Sequence, residues 1–595
     1  MNMLLLVGSI FAFSQPYSGE KLSRGLIGIP TEDGMYFSWR MTLEDAAGLQ
    51  FDLYRSSGGG AEVKLNKEPI DRTSDFLDRT VDYTVDNRWT LKATTGEVTT
   101  WTRLKGEERN PYLSVPVCKP EDGEIAGESF TYTANDCSVG DLDGDGEYEI
   151  ILKWSPSNSK RPPQRGFTGN TYLDAYKMDG TRLWRIDLGP NVRSGAATTN
   201  FLVFDFDGDG CAEICCKTGD GTVDGLGHRI GDAQADWRTW DKKSPTYGKI
   251  VNGPEYLTVF EGRTGKELDS KEYIPTRYPL DGNCGNDNTG GRSDRFTAGV
   301  AFLDGKTPSP VMVRGWYGRT VVAAWTFTNG ALKHTWIFDS AAPGWEAYSG
   351  MGNHSVTVAD FDGDGCDEIC VGAMTVDHDG KGLFTTGLRH GDALHAGRFI
   401  PSRQGMQVFG VHENEGDNEI VKRTPAVAMF DGATGEIIWQ DGLGQDAGRG
   451  VAADIDPRYD GAECWCNIGG LRRGDTGEII SNRKPDSCNF TIYWDADPLA
   501  ELLDHVSISK WNWNTESTDL LLKAERVVSN NGTKGNPCLS GDILGDWREE
   551  VIWASEDQTE LRIYSTTIPA VDRRATWMND RQYRLAIAWQ NVAYN

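Results

Sequence analysis

Carboxylates recur at fixed spacing in five places along the 595-residue chain. The segments DLDGDGEYE (141–149), DFDGDGCAE (205–213) and DFDGDGCDE (360–368) place Asp at positions 1, 3 and 5, Gly at 4 and 6, and Glu at 9. Their acids are Asp141, Asp143, Asp145 and Glu149; Asp205, Asp207, Asp209 and Glu213; and Asp360, Asp362, Asp364 and Glu368. Weaker relatives, DIDPRYDGAE (454–463) and DILGDWREE (542–550), add Asp454, Asp456 and Glu463, and Asp542, Asp546 and Glu549. Three carboxylates around a tight glycine turn suit a hard cation, because Ca²⁺ takes six to eight oxygens at about 2.3–2.6 Å. Ca²⁺ is therefore the expected cofactor. An EF-hand would carry its bidentate acid at position 12, where Leu152, Cys216 and Val371 stand instead, and strand-like residues follow each loop. In most of these loops the ion is expected to pin a strand connection rather than do chemistry. The plainer alternative is a solvated acidic turn without metal.

The charge balance fits bound cations. There are 88 acidic against 60 basic residues, a formal net charge of −28. That excludes nucleic acid as a partner, since phosphates demand a basic footprint. A polyanionic substrate is repelled as well, unless cations and local Lys or Arg invert the field in one cleft.

The opening residues, MNMLLLVGSIFAFSQ, carry an apolar run from Leu4 to Phe13 with Ala12 and Ser14 as small residues at its end, although no Lys or Arg precedes it. The run has signal-peptide length and is too short to span a bilayer. Residues 1–14 are read as a signal peptide and the protein as secreted, with no membrane partner. Cys211 and Cys215, like Cys366 and Cys370, sit four apart on predicted strands. Their Cα atoms are then roughly 13 Å apart, about twice what a disulfide tolerates. Buried free thiols are expected.

The elements that position these residues read as short strands. Gly (70) and Trp (20) are abundant, and hairpins with Asp-Gly, Thr-Gly or Asn-Gly turns recur at 175–189, 257–270, 323–336 and 427–440. Acidic loop and hairpin alternate along the chain, as one blade after another would. The unequal spacing implies long insertions, such as 218–254, 271–296 and 341–354, of the kind that build a binding face. The fold expected is all-β: a single eight-bladed β-propeller over residues 24–595, with the strands of 24–120 packed into or onto the ring. One helix is expected, at 497–504 (DPLAELLD).

Several strings narrow the function. They are YTANDCSVGDLDGDGEYEIILKW (132–154), GPEYLTVFEGRTG (253–265), GNHSVTVADFDGDG (352–365), HGDALH (390–395), GRGVAADIDPRY (448–459), SNNGTKGNPCLSGDILGDWREEVIW (529–553) and NVAYN (591–595). In this order they resemble a rhamnogalacturonan lyase of polysaccharide lyase family eleven, from about Arg24 to the last residue. That resemblance implies an eight-bladed propeller and β-elimination at the rhamnosyl-(1→4)-galacturonate bond of the pectic polysaccharide rhamnogalacturonan I. A base removes the C5 proton of galacturonate, the C4–oxygen bond breaks, and a 4,5-unsaturated uronate forms. Such chemistry needs a neutralised carboxylate, a base facing C5 and help for the leaving oxygen. Ca²⁺ as Lewis acid meets the first need.

Lys534 and Arg449 match the family's active-site lysine and arginine. Lys534 is expected to act as the base, or with Arg449 on the carboxylate and the proton. An ammonium of reference pKa about 10.4 must be lowered for that task. A lone Lys in a glycine-rich loop is ordinarily a solvated charge, and only the surrounding string argues otherwise. Asn135, Asp136, Asn531, Gly532, Thr533 and Tyr594 match sugar-binding positions. His354 and His390 fall where the family places histidines beside the site and its calcium, with His395 a weaker candidate. Ser155 and Ala197 depart from the family pattern, at positions where an acid and a histidine are expected. The protein is expected to act as a monomer and in the endo mode. A non-catalytic calcium propeller that binds sugar or mediates adhesion explains the loops and charge, but leaves the NNGTKGNP, GRG and HGDALH segments without a role. A quinoprotein dehydrogenase is a lesser rival, because its turns recur once per blade with a regular Trp docking pattern that this chain lacks.

Overall fold

The computed structural model describes residues 16–17, 19–277, 289–414 and 419–592. The apolar segment 1–14 and Tyr594 lie outside them.

The described chain is all-β but is not one propeller running from residue 24 to 595, and that expectation is corrected. Its strands are distributed over many separate antiparallel sheets with no closed barrel. The N-terminal strands join no ring. Ile27–Pro30, Met35–Ser38 and Asp75–Asp78 form a three-stranded sheet, and Val63–Lys64, Phe51–Ser57, Asn87–Ala93 and Val98–Arg103 a four-stranded one. The two sheets close on their own core as a sandwich: the Phe37 and Trp89 rings lie 4.9 Å apart, those of Trp39 and Phe51 5.3 Å. Only Leu113–Pro116, just beyond this unit, pairs with the later chain, adding a strand beside Glu560–Tyr564.

From Tyr132 to Lys523 seven four-stranded sheets follow one another, each with its strands in chain order, and a five-stranded sheet ends the series. Each acidic loop joins the first and second strands of a sheet, as 141–149 joins Tyr132–Gly140 to Glu149–Pro156. The four hairpins foreseen from their turns join third and fourth strands, as in Tyr172–Tyr176 with Arg182–Asp187. Through the first seven sheets the first strands of consecutive sheets touch, and Leu539–Gly541 of the last sheet touches Tyr132–Gly140 of the first.

Glycine and tryptophan share a role at three of the junctions. Trp184, Trp336 and Trp439, each on an outer strand, donate their indole N–H to the carbonyls of Gly262, His378 and Gly474 in the next sheet's hairpin. A Cβ at Gly265, Gly380 or Gly477 would fall 2.8, 2.7 or 2.6 Å from those rings. Only a residue without a side chain admits the indole there.

The helix expected at 497–504 is absent. Glu501–Asp504 is instead a strand paired with Phe490–Ile492 and Ser507–Asn512. The one α-helix among the described residues is Arg581–Trp589, capped by the Asp580 carboxylate, which accepts from Tyr583 N–H. It lies against the first strands of the first four sheets of the series. There Arg584, fully buried, pairs with Glu20 at 2.8 Å. All eleven described cysteines are free thiols.

Candidate active site and acidic loops

Lys534 ends a single 3₁₀ turn, Gly532–Lys534, held between two left-handed residues, Asn531 (φ 58°) and Gly535 (φ 64°). The backbone bond from Asn530 N–H to Asn536 C=O closes the loop at 2.7 Å. Position 535 demands glycine, because a Cβ would sit 2.8 Å from the His505 ring and 2.9 Å from the Asp504 carboxylate. The turn holds the lysine between two adjoining clefts. One, of about 440 Å³, is lined by Asp392, Arg449, Asn489 and Asp504 together with Lys534. The other, of about 290 Å³, is lined by Lys160, Arg161, Ala197 and Asn531 together with Lys534. Burial first, then the Arg449 charge, pulls the Lys534 amine down to about 8, while Asp392 opposes the shift.

Arg449 Nη1 donates to Asn489 Oδ1 at 3.0 Å, and Asn489 Nδ2 donates to Asp504 Oδ1 at 2.6 Å. The guanidinium is thus oriented by a relay of two side chains in the same cleft.

His354 and His390, from different loops, meet Asp392 with one ligand atom from each lying within 4.8 Å of the others. His390 Nδ1 donates to Gly352 C=O at 2.6 Å, which turns Nε2 toward the Glu413 carboxylate 3.6 Å away. That Nε2 is buried and has no hydrogen-bond partner among the described residues. His354 Nε2 lies 3.3 Å from Tyr317 OH and 3.4 Å from Asp392 Oδ1. Burial drives His390 down to about 3 and His354 well below its usual range, so both imidazoles are neutral. Burial likewise raises Asp392 to about 6. Two neutral imidazoles beside carboxylates are able to hold a divalent cation, since metal ligands must be deprotonated. His395 is engaged elsewhere, donating Nε2–H to Gly450 C=O at 2.8 Å.

Asn135 and Asp136 occupy the irregularity in the first strand between Ala134 and Cys137. Cys137 N–H bonds Cys538 C=O at 2.8 Å, which sets this bulge beside the segment carrying Lys534. Asp136 is held by the buried ammonium of Lys153. Gly532 opens to free space, where a Cβ would meet nothing within 4 Å. Thr533 belongs to the same turn. Ala197 lines the smaller cleft, and Ser155 pairs with Thr133 at the far end of the first strand.

The acidic loops share one internal hydrogen-bond plan. Asp141 accepts from Gly144 and Gly146 N–H, Asp205 from Gly208 and Gly210, and Asp360 from Gly363 and Gly365. The terminal Glu returns to accept from the second residue's N–H, as Glu149 does from Leu142, Glu213 from Phe206, Glu368 from Phe361 and Glu463 from Ile455. In the fifth loop this role falls to Glu550, which accepts from Ile543 N–H. Glu549, assigned to it from the sequence, points elsewhere: its carboxylate accepts from Tyr493 N–H and Tyr583 OH. Alternation along the strand lets only one of the two neighbouring acids face the loop.

These loops fit a cation. Glu368 Oε1, Asp454 Oδ1, Glu463 Oε1 and Asp542 Oδ1 are buried without a hydrogen-bond donor among the described residues. Burial raises Glu213 and Glu463 to about 9 and Glu368 to about 8. A sixth loop of this plan was missed. Residues 493–501 (YWDADPLAE) carry Asp495, Asp497 and Glu501 at positions 3, 5 and 9, with Tyr493 where the others have Asp. Glu501 makes the same return bond, to Trp494 N–H, but here the ammonium of Lys510 meets all three carboxylates. Lys177 makes a looser approach in the first loop, 2.7 Å from Asp143 and 3.2 Å from Asp145.

The structure thus brings Lys534 and Arg449 to one cleft, with Asn531 on the adjoining one, and joins His354 to His390. Sequence reasoning passed over Asp392, although it stands within the HGDALH string. It also passed over Tyr317, Glu413 and Arg161, which no local motif marks.

Comparison with known proteins agrees along nearly all of the chain. The model of the rhamnogalacturonan lyase family 11 C-terminal domain matches residues 112–595, and that of the rhamnogalacturonan I lyase β-sheet domain matches residues 17–105. The chain is 48% identical over 584 residues to rhamnogalacturonan endolyase YesW of Bacillus subtilis (strain 168), covering 97% of this chain and 89% of that one. It is 49% identical over 593 residues to rhamnogalacturonan exolyase YesX of the same organism, covering 97% and 94%. The solved Bacillus licheniformis rhamnogalacturonan lyase PL11 superposes with a TM-score of 0.90 at 49% identity, covering 98% of this chain and 96% of that one.

Proposed function

The chain belongs to rhamnogalacturonan lyase family 11 and is a polysaccharide lyase, and from that premise we propose that it cleaves rhamnosyl-(1→4)-galacturonate bonds inside pectic rhamnogalacturonan I by calcium-assisted β-elimination. The observation that carries the mechanism is the Lys534 amine, poised at about 8 between two clefts. A general base works best when its pKa lies near the working pH.

In this reading the neutral Lys534 Nζ takes the C5 proton of galacturonate. The C5–H electron pair becomes the C4=C5 double bond as the C4–O4 bond breaks, and the departing rhamnosyl oxygen gains a proton. Arg449, oriented by Asn489, pairs with the uronate carboxylate. A bound calcium ion would draw charge from that carboxylate and so acidify C5; His390, Asp392 and Glu413 are the residues placed to hold it. Asn135, Asn531 and Gly532 would meet sugar hydroxyls, the last by close backbone approach.

An endo mode is supported by space on both sides of Lys534, which leaves room for sugars before and after the broken bond. Secretion suits a substrate too large to cross a membrane.

The test is ultraviolet absorbance of the unsaturated uronate on incubation with rhamnogalacturonan I, with and without a calcium chelator, beside Lys534→Ala. A rise that needs both calcium and Lys534 is expected. A rise that survives Lys534→Ala moves the base elsewhere, and a rise that survives chelation removes calcium from the reaction.

A further inference from the structure

The smaller cleft does not end at Arg161. Its wall, residues 159–164, continues through Arg165 to Phe167, where it meets the insertion that separates the second and third strands of the second sheet. Two hydrogen bonds fasten them: Gly166 N–H donates to Tyr247 C=O at 2.8 Å, and the Arg165 side chain donates through Nη2 to Lys242 C=O at 2.7 Å. The buried Arg193 guanidinium braces the wall from beneath, donating to the carbonyls of Arg161 and Gln164.

Two independent features mark this surface. The first is charge. Arg161, Arg165, Lys242 and Lys243 are all exposed, on a protein whose formal net charge is −28. Of the exposed acids in the insertion, Asp236 is paired with Arg238 at 2.8 Å, while Asp232 and Asp241 cap turns by accepting from Gln234 and Lys243 N–H. The second is an aromatic side chain that is both exposed and held. Trp240 is 51% exposed, yet its indole N–H donates to Asp236 Oδ2 at 3.1 Å and its ring rests on Phe167, with centroids 4.3 Å apart. The Arg238 guanidinium sits 5.3 Å from the same ring. An indole already held in one orientation loses little conformational freedom when a ligand covers it, and covering its exposed face removes apolar area from water. Exposed indoles pack on the apolar faces of sugar rings, and arginines recognise carboxylates with paired hydrogen bonds.

We propose that Arg161, Arg165, Lys242 and Trp240 form a distal subsite that binds a further uronate-bearing stretch of the polymer on the Asn531 side of Lys534. The proposal rests on the lyase reading of the Lys534 cleft for its substrate class. Arg161 and Arg165 lead the acidic chain out of the cleft, and Trp240 receives a sugar face beyond them. The cationic strip also answers how so acidic a protein engages a polyanion: the field is inverted locally, where the chain must pass.

The test separates binding from catalysis. The inactive Lys534→Ala protein is run in gels containing rhamnogalacturonan I, alone and combined with Trp240→Ala, Trp240→Phe or the double change Arg165→Ala/Lys242→Ala, each variant first checked for an unchanged melting temperature. Retention by the polymer should weaken about tenfold in apparent Kd for Trp240→Ala and for the double variant, with Trp240→Phe recovering part of the loss. In the active background, the ratio of kcat/KM on the polymer to that on an oligosaccharide too short to leave the Lys534 cleft should fall by a similar factor. Retention within twofold of the parent overturns the subsite, whether or not the parent is a lyase. Lost retention with no elimination product from the wild-type protein would keep the subsite and sink the proposed reaction.

Discussion

Lys510 Nζ lies 3.0 Å from Glu501 Oε1 and 2.5 Å from the carboxylates of Asp495 and Asp497. An ammonium thereby fills the middle of a loop built on the plan of the five calcium-type loops, and the missing acid at Tyr493 leaves fewer negative charges to balance. Glu501 is fully buried, and burial raises it to about 7 even against the pull of Lys510. Removing the lysine leaves three converging carboxylates without a counter-ion. Lys510→Met is therefore expected to destabilise the chelator-treated protein by about 1–3 kcal/mol, less than the full cost of breaking a buried pair because the Asp497 carboxylate is 41% exposed and screened by solvent. Millimolar calcium should restore most of that, and calcium titration should show one more bound ion than in the wild type. Denaturant melts with and without calcium decide it. Full loss with no calcium rescue means the loop cannot close on an ion.

Lys534 should give the reaction its pH dependence. The active form of a base is the neutral amine, so kcat/KM is expected to rise with pH through about 8, the position to which burial and Arg449 bring this group. Lys534→Ala should lower kcat by about 10²–10⁴, and Lys534→Arg should not rescue it, because a guanidinium stays protonated. The sign for stability is separate. With a folded pKa below the unfolded value of about 10.4, the protonated amine destabilises the fold below about 8, and that penalty fades between the two values. Lys534→Met should thus melt higher than wild type at neutral pH while losing activity. A pH profile flat from 6 to 9 would place the base at another residue.

The second loop offers the cleanest test of what a bound calcium ion would do for the fold. Oxygens of Asp205, Asp207, Asp209 and Glu213 converge within 4.8 Å of one another, so without a cation the aspartates repel one another and Glu213, raised to about 9 by burial, holds a proton. Glu213→Gln is expected to lower the number of bound calcium ions by one and to lower the melting temperature in calcium by about 1–2 °C, which is what 1–2 kcal/mol gives in a chain this long. In excess chelator the two proteins should melt together, because the variant has then lost nothing further. A gap that persists in chelator would make the Glu213 bond to Phe206 N–H, rather than the ion, the source of the effect.

The parts of the fold legible in the sequence were those set by local chemistry. An Asp-Gly run of fixed spacing marks a connection between first and second strands, and a Gly turn between alternating flanks marks an outer hairpin. Which strands pair with which is a long-range matter, and there the reading failed: nothing within residues 27–103 announces that Phe37 packs on Trp89 rather than on the later sheets. DPLAELLD was misread because Leu, Ala and Glu favour helix in isolation, whereas the loop's return bond from Glu501 to Trp494 commits that segment to a strand. The same template, counted strictly to position 9, would have chosen Glu550 over Glu549. Lys534 and Arg449 were legible only through their surrounding strings, while Tyr317 and Glu413 reach the histidines from loops that share no motif with them.

Whether the enzyme cuts within the chain or from its end turns on what lies beyond Lys534 on each side. The cleft with Arg449 and Asn489 and the cleft with Arg161 and Asn531 both reach the lysine, and on the proposed endo reading a bound polymer continues past the reacting bond in either direction. An internal cut halves a chain, whereas a terminal cut removes a few sugars and leaves its length nearly unchanged. The viscosity of a rhamnogalacturonan I solution should accordingly collapse while only a small fraction of the bonds has been broken, with oligomers of many lengths appearing together. Narrowing the Asn531 side should change that pattern in one direction: Gln164→Trp, at an exposed position on the smaller cleft's wall, is expected to slow cleavage of polymer more than of short oligosaccharides. A slow, proportionate fall in viscosity with a single short product from the first minutes would show that one of the two clefts is shut during turnover, and the enzyme would then be an exolyase.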